Sequence, residues 1–298
     1  MNIPAQITPL MDNSTLHRVE RLRINCTRRF TNRSRGEHLA GKGGTSTEFS
    51  DYRDYVDGDD VRYIDWNIFS RLRRPYLKIF HQEEEMHVVI LIDASASMDF
   101  EGKLERAKQL AASFGIMGML SLERVSCWAF NAQGDKLQYT KPASGRIKIP
   151  EMLRFIEDIK PGGDAPVNEG IESLLKFHQG RGAIIVLSDF LAHADLSRSM
   201  NLLYSSGLEM MGLQILSPTE LEPDVTGDVR FVDCEDHKFL DVSSAASLMD
   251  LYHEYLEAYT NQLETDCRKR GGKFLTANSS DKLDDVLFNQ LRRKGWVV

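Results

Sequence analysis

The chain has no long apolar segment and no recognisable leader. No apolar run in the sequence approaches the ~20 residues that a helix needs to cross a bilayer. The opening residues, MNIPAQITPL, lack the basic region and apolar core of a signal peptide. These absences predict a soluble, cytoplasmic protein without a membrane span.

Cysteine is scarce and widely spaced. The four cysteines form no C-x-x-C pair, which argues against both a zinc site and a disulfide framework. We predict reduced and mostly buried thiols at Cys26, Cys127, Cys234 and Cys267.

The motifs of common hydrolases and nucleotide-binding proteins are also missing. The eight histidines show neither H-x-x-x-H nor H-E-x-x-H spacing, and no G-x-S-x-G is present. The glycine-rich stretch G-K-G-G-T-S at residues 41–46 lacks the spacing of a phosphate-binding loop, and no buried strand precedes it. The sequence therefore gives no support for a zinc hydrolase, a serine hydrolase or a nucleotide site at this loop.

Length and charge limit the organisation of the chain. Its 298 residues, 42% of them hydrophobic, suffice for one large domain with a smaller appendage. The net charge of −7 argues against bulk binding of nucleic acid. The charge is uneven, however, because a basic arm between Arg18 and Lys42 precedes acidic residues from Glu48 to Asp60. Internal pairing of these charges is the favoured interpretation, and nucleic-acid binding through the arm is the alternative.

The most informative stretch is Met86 to Phe100, read as MHVVILIDASASMDF. Val88 to Ile92 is an unbroken, β-branched apolar run, which is typical of a strand buried on both faces of a parallel sheet. The run ends in Asp93, Ser95 and Ser97, separated by alanines. One carboxylate and two hydroxyls suit a hard divalent cation such as Mg²⁺ or Mn²⁺.

A second buried strand, Gly182 to Phe190, ends near Asp189, and a Pro-Gly-Gly-Asp loop containing Asp164 precedes another predicted helix. Strands and helices alternate from Val88 onward, which predicts an α/β fold with a doubly wound, mainly parallel sheet. Ligands of such sheets bind at the carboxyl ends of the strands, so Asp189 is placed to join Asp93 at a metal site.

The segment Glu48 to Arg71 alternates acids, arginines and aromatics too densely for a solvated loop. It predicts either a knot of structure packed on the main domain or an exposed recognition surface. We predict an interaction surface formed by Asp51, Arg53, Asp59, Asp60, Arg62, Asp65 and Trp66.

Two resemblances follow from these motifs. The D-x-S-x-S after a hydrophobic strand resembles the metal-ion-dependent adhesion site of von Willebrand factor A-like domains. The pattern D-Y-R-x-Y-x-x-G-D-D-x-R-x-I-D-W, from Asp51 to Trp66 and shortly before that strand, resembles a widespread bacterial family of unassigned function. Members of this family carry a von Willebrand factor A-like domain and are often encoded beside MoxR-type AAA+ ATPases. The resemblance covers about residues 20–295.

The resemblance implies a metal site formed by Asp93, Ser95 and Ser97, with Asp189 closing it, commonly through a water molecule. The adhesion-site pattern usually places a threonine after the glycine pair, where this chain has Asp164. Asp164 would either join the ligands or face solvent. As an additional carboxylate it would make the bound ion less attractive to an acidic partner.

We therefore predict a metal-dependent protein–protein interaction module that is not an enzyme. Its partner would offer an acidic residue, and the resemblance points to an AAA+ ATPase. The alternative is a metal-dependent hydrolase, but Ser95 stands where an aspartate-nucleophile phosphatase carries its second aspartate. The predicted domains are an N-terminal extension at 1–80 and a von Willebrand factor A-like domain at 81–298.

Overall fold

The structure is a computed structural model that describes residues 6–26, 47–82, 86–134, 137–192, 195–223, 229–232, 239–242 and 249–298. The chain divides into two compact units. The larger unit comprises residues 1–28 and 86–298, and the smaller unit comprises residues 29–85. The predictions for Arg28 to Lys42, the loop at 41–46 and Cys234 lie outside the described residues.

The strands are numbered in chain order. They are β1 (Thr47–Asp54), β2 (Tyr76–Gln82), β3 (His87–Asp93), β4 (Arg124–Phe130), β5 (Leu137–Tyr139), β6 (Gly182–Ser188), β7 (Leu208–Leu216), β8 (Val229–Val232), β9 (Phe239–Val242) and β10 (Lys273–Asn278).

The helices are α1 (Asn13–Val19), α2 (Trp66–Leu72), α3 (Lys103–Leu120), α4 (Ile149–Asp158), α5 (Val167–Leu175), α6 (Ser197–Ser205), α7 (Pro218–Leu221), α8 (Met249–Lys269), α9 (Leu283–Asp285) and α10 (Leu291–Arg293). Short 3₁₀ helices cover Val61–Tyr63, Ala96–Gly102 and Arg146–Lys148, and a π-helical turn at Val286–Gln290 joins α9 to α10.

The larger unit is built on a six-stranded sheet with the order β10-β7-β6-β3-β4-β5. Every neighbouring pair is parallel except β4 and β5. Along β3, Val88, Ile90 and Ile92 belong to one buried cluster, whereas Val89 and Leu91 belong to another. Alternate residues of a strand point to opposite faces, so both faces of the sheet are covered.

The helices provide the two covering layers. Helices α3 and α4 contribute to the first cluster, and α5, α6 and α8 contribute to the second. Helix α3 lies close to its neighbours because it carries glycines. A Cβ added to Gly118 would lie 2.7 Å from a methyl group of Val125 on β4. The predicted α/β fold with a mainly parallel sheet is confirmed. Strands β8 and β9 form a separate antiparallel pair.

The N-terminal segment belongs to the larger unit, which differs from the predicted boundary at residue 80. Leu16 and Val19 of α1 are buried in the first cluster. Ile24 forms an antiparallel bridge with Val297, next to the fully buried Trp296. These apolar side chains supply the burial that holds the segment to the domain.

The smaller unit contains an antiparallel pair, β1 and β2, together with a 3₁₀ turn and α2. Asp65 is the N-cap of α2, because its side chain accepts hydrogen bonds from the backbone N–H groups of Asn67 and Ile68. Ile64 also bridges to Leu77 of β2. The block from Asp51 to Trp66 is therefore folded within its own unit.

Candidate metal centre

The candidate site lies at the carboxyl ends of β3 and β6, which are adjacent in the centre of the sheet. Ile92 pairs with Leu187 in the register, so Asp93 and Ser188 follow at the same level. Ser188 Oγ donates a hydrogen bond of 2.7 Å to Asp93 Oδ2. The parallel register thus fixes one oxygen of the Asp93 carboxylate.

The other oxygen of Asp93 is held by the turn that follows β3. The backbone N–H of Ser95 donates to Asp93 Oδ1 at 2.9 Å, and Asn131 Nδ2 lies 3.4 Å from the same atom. The hydroxyl oxygens of Ser95 and Ser97 are 3.0 Å apart. Asp93 and Ser95 are buried, and Ser97 is half-buried. The structure therefore brings together the three oxygen groups that the D-x-S-x-S motif predicts.

The environment of Asp93 disfavours its charge. Burial, followed by the nearby charge of Asp189, raises the pKa of Asp93 to about 6, against the opposing effect of the hydrogen bond from Ser188. A cation bound beside this carboxylate would relieve that penalty.

Asp189 forms an ion pair with Lys103, the first residue of α3. Lys103 Nζ donates to Asp189 Oδ2 at 2.8 Å and to Glu220 Oε1 at 2.6 Å. The Lys103 side chain is completely buried. Burial alone would lower the pKa of Lys103, but the charges of Asp189 and Glu220 outweigh it, and the pKa is raised. The lysine is therefore a fixed positive charge beside Asp189.

Asp164 is placed at the rim of the site by its backbone, with an exposed side chain. Gly162 N–H donates to Ala94 O, and Ala96 N–H donates to Gly163 O, so the loop lies against the turn after β3. Asp164 forms no hydrogen bond with Asp93, Ser95 or Ser97 among the described residues. Its role as a metal ligand stays a prediction.

Asn131, which sequence reasoning did not single out, holds this loop. Its side chain donates to Ala165 O at 2.7 Å and accepts from the Ala165 N–H at 2.9 Å. A Cβ added to Gly163 would lie 3.0 Å from Asn131 Oδ1, so a larger residue at this position would press on the Asn131 side chain. Asn131 has a φ of 62°, a left-handed conformation that asparagine adopts more readily than most residues. No spacing rule identifies such a residue.

The oxygens of Asp93, Ser95 and Ser97 are suitable ligands for a metal ion. Hydrogen bonds from Ser188, the Ser95 N–H and Asn131 reach the Asp93 carboxylate, whose two oxygens have about four acceptor positions. The neighbouring Ser95 and Ser97 add neutral oxygens, as hard cations require. In the described part of the chain, no group of three or more His, Cys, Asp or Glu residues could hold a metal ion. The residues present therefore fit a hard divalent cation bound by one carboxylate and hydroxyls, rather than an acidic cage.

The second predicted site lies in the smaller unit. Arg53 forms a two-pronged ion pair with Asp59, at 2.7 and 2.6 Å, and Arg62 pairs with Asp60 at 2.6 Å. Lys78 approaches Asp65 at 3.1 Å. Asp59, Asp60 and Asp65 thus pair with bases of their own unit.

Trp66 is an exposed aromatic residue of the block. Its side chain is 61% exposed and touches Phe69 edge-on, with ring centroids 5.8 Å apart. Asp65 caps α2 and leaves Trp66 as its first residue, where the side chain faces solvent. Trp66 is thus not a buried anchor. Asp51 is also exposed.

The basic segment is described only to residue 26. Arg18 forms an ion pair with Asp284 and lies 3.6 Å from the centroid of the Phe288 ring. The partner of Arg18 is therefore near the C-terminus rather than in the acidic segment at 48–60. Among the described residues, no helix is both long and apolar enough to span a membrane.

Comparison with known proteins gives relatives along most of the chain. An uncharacterized protein of Mycobacterium tuberculosis is 28% identical over 273 residues, covering 88% of this chain and 85% of that protein. An uncharacterized protein of Mycobacterium bovis gives the same values.

Three solved structures are more distant. BatB, a conserved hypothetical protein from Bacteroides thetaiotaomicron, has a TM-score of 0.43 and 16% identity, covering 70% of this chain and 98% of that chain. The pilus adhesin SpaC from Lactobacillus rhamnosus GG has a TM-score of 0.43 and 12% identity, covering 72% of this chain and 31% of that chain. Proximal thread matrix protein 1 from the mussel byssus, with a zinc-occupied MIDAS motif, has a TM-score of 0.31 and 16% identity, covering 44% of this chain and 36% of that chain. Finally, the family model described as "Protein of unknown function DUF58" matches residues 51–264.

Proposed function

The chain belongs to the DUF58 family of proteins of unknown function, and from the geometry of its site we propose that it is a metal-dependent protein–protein interaction module. The observation that carries the proposal is the convergence of Asp93, Ser95 and Ser97 at the carboxyl edge of the sheet. Buried Asp93 and Ser95 would hold the inner side of a Mg²⁺ or Mn²⁺ ion, and half-buried Ser97 stands toward the rim.

A bound divalent ion would supply an open coordination position for a carboxylate of the partner protein. Asp93 would orient that position, because Ser188 and the Ser95 N–H fix both of its oxygens. Asp164 would add negative charge at the rim and weaken the attraction for an acidic partner.

The proposed role is not catalytic. Ser95 offers no second carboxylate for acid–base chemistry, and the nearby Asp189 is paired with Lys103. We place the protein in the cytoplasm, with a MoxR-type AAA+ ATPase as its partner in the maturation or remodelling of other proteins. The support for that partner is the sequence resemblance described above.

Calorimetric titration of Mg²⁺ and Mn²⁺ into the full chain tests the site. Asp93→Asn should weaken Mn²⁺ binding by about tenfold or more, because it removes the one carboxylate among Asp93, Ser95 and Ser97. Asp59→Asn, which breaks the Arg53 pair in the smaller unit, is the matched control and should leave Mn²⁺ binding unchanged. Equal binding by both variants would disprove the assignment.

The role in recognition needs a partner measurement. Affinity for the MoxR-type ATPase of the same organism should depend on Mg²⁺, vanish in EDTA and vanish in Asp93→Ala. Asp164→Thr should strengthen Mg²⁺-dependent binding. Identical affinities with and without Mg²⁺ in wild type, Asp93→Ala and Asp164→Thr would show that the partner binds elsewhere. The surface around the exposed Trp66 would then be the next candidate.

A further inference from the structure

Lys103 is unusual among the charged residues of the larger unit. Its side chain has no solvent exposure, and its ammonium group lies between two carboxylates, 2.8 Å from Asp189 and 2.6 Å from Glu220. Lysine is rarely buried completely unless its charge is compensated. The lysine therefore has a fixed position and a fixed charge.

Both carboxylates are held in place independently of the lysine. The Leu191 N–H donates to Asp189 Oδ1 at 3.1 Å, and Gln214 donates to the Asp189 backbone carbonyl at 3.0 Å. Glu220 accepts from the Ser217 N–H at 2.7 Å as part of the cap of α7. The second oxygen of each carboxylate accepts from Lys103.

Asp189 and Asp93 consequently differ in whether a positive charge compensates them. Asp189 faces an internal cation, whereas Asp93 is held by hydroxyl, amide and backbone N–H groups that carry no formal charge. An incoming divalent ion would thus meet one uncompensated carboxylate rather than two. Lys103 would also repel that ion across a poorly solvated region, where charges interact more strongly than in water.

We propose that Lys103 acts as an internal cation that withholds Asp189 from the metal and keeps the affinity of the site for divalent ions low. This inference rests on the proposed metal site and specifies its ligands. The protein would bind the ion through Asp93, Ser95 and Ser97, and Asp189 would remain the ion-pair partner of Lys103. A weakly held ion exchanges readily and gains most from an additional carboxylate supplied by a partner.

The test is Mn²⁺ binding to the full chain, measured by calorimetry, in wild type, Lys103→Met, Asp189→Asn and Asp93→Asn. Lys103→Met should bind Mn²⁺ about tenfold more tightly than wild type, because it frees Asp189 and removes a repelling charge. Asp189→Asn should change the affinity by less than about threefold, whereas Asp93→Asn should lower it by about tenfold or more. Lys78→Met, which breaks the Lys78–Asp65 pair in the smaller unit, is the matched control.

A thermal readout separates binding from a purely structural role. Without metal, Lys103→Met should melt below wild type, because Asp189 and Glu220 are left without their counter-charge. Added Mn²⁺ should raise its melting temperature by more than that of wild type or Lys78→Met. An equal Mn²⁺ response in all three would show that Lys103 is only a structural ion pair and would overturn the inference.

The Asp189→Asn variant decides the matter if Lys103→Met does not fold. A loss of Mn²⁺ affinity as large as that of Asp93→Asn would make Asp189 a ligand of the wild-type site, and the inference would be wrong. If wild type binds no Mn²⁺ but Lys103→Met does, the lysine replaces the metal, so the proposed metal-dependent function fails while the inference stands. If neither binds Mn²⁺, both fail.

Discussion

In the smaller unit, Asp59 and Asp60 each pair with an arginine at the surface, whereas in the larger unit Asp93 is buried and held by groups without formal charge. The surface pairs satisfy each other and remain in contact with water, so they contribute little free energy and have little need of a ligand. Asp93 has lost its hydration without gaining an ion pair among the described residues. The difference shows that the density of charge in a sequence does not identify the carboxylate that has lost its hydration.

The largest contrast is expected between two tryptophans. Trp296→Ala should lower the free energy of unfolding by about 3–5 kcal/mol, because this side chain is 1% exposed in the main core. Trp66→Ala should cost less than about 1 kcal/mol, since Trp66 is 61% exposed. Urea unfolding followed by circular dichroism measures the first, and proteolysis within residues 47–82 checks the second. A large effect at Trp66 would mean that an element outside the described residues covers it.

The ion pairs give the next contrast. In the absence of metal, Lys103→Met should cost about 3–5 kcal/mol, because it leaves Asp189 buried without its counter-charge. Arg53→Met breaks a two-pronged pair that is partly open to solvent, so its effect should be much smaller. Urea unfolding at neutral pH in EDTA compares the two. Equal losses would refute the claim that burial separates the two sets of charges.

A smaller, pH-dependent effect is expected at His178. Burial, followed by the nearby His87, lowers the pKa of His178 from 6.5 to about 4. The folded state therefore favours the neutral ring, and the stability that this provides is present above pH 6.5 and is lost as the pH falls towards 4. His178→Gln should lose less stability than wild type between about pH 7 and pH 4.5. His253→Gln, at an exposed histidine, should behave like wild type, and the same curve for all three proteins would contradict the shift.

The sequence predicted the parts of the structure that follow from local pattern. The apolar run at Val88 to Ile92 correctly placed β3 in the centre of a sheet, because a strand covered on both faces needs no polar alternation. The convergence of Asp93, Ser95 and Ser97 followed from their position after that strand. The exposure of single side chains was less predictable, since aromatic density does not reveal which side of a short helix faces solvent, as Trp66 shows.

Residues that act through long-range contacts were not predictable in this way. Lys103 is separated from Asp189 by 86 positions and from Glu220 by 117, and nothing in its own neighbourhood indicates burial. Asn131 is 34 positions from the loop that it holds. Both owe their roles to the order of the strands, which brings distant loops to the same edge of the sheet.

The antiparallel bridge between Ile24 and Val297 has a consequence for the modular construction of the chain. The chain leaves the larger unit shortly after Asn25, whose carbonyl accepts from Lys273 at the beginning of β10, and re-enters at Met86, directly before β3. Both points are at the amino-terminal edge of the sheet, three strands apart, or roughly 15–20 Å. About six extended residues would close that gap. Residues 29–85 are therefore topologically a single insertion into the larger unit, and its removal would reroute no strand of the six-stranded sheet.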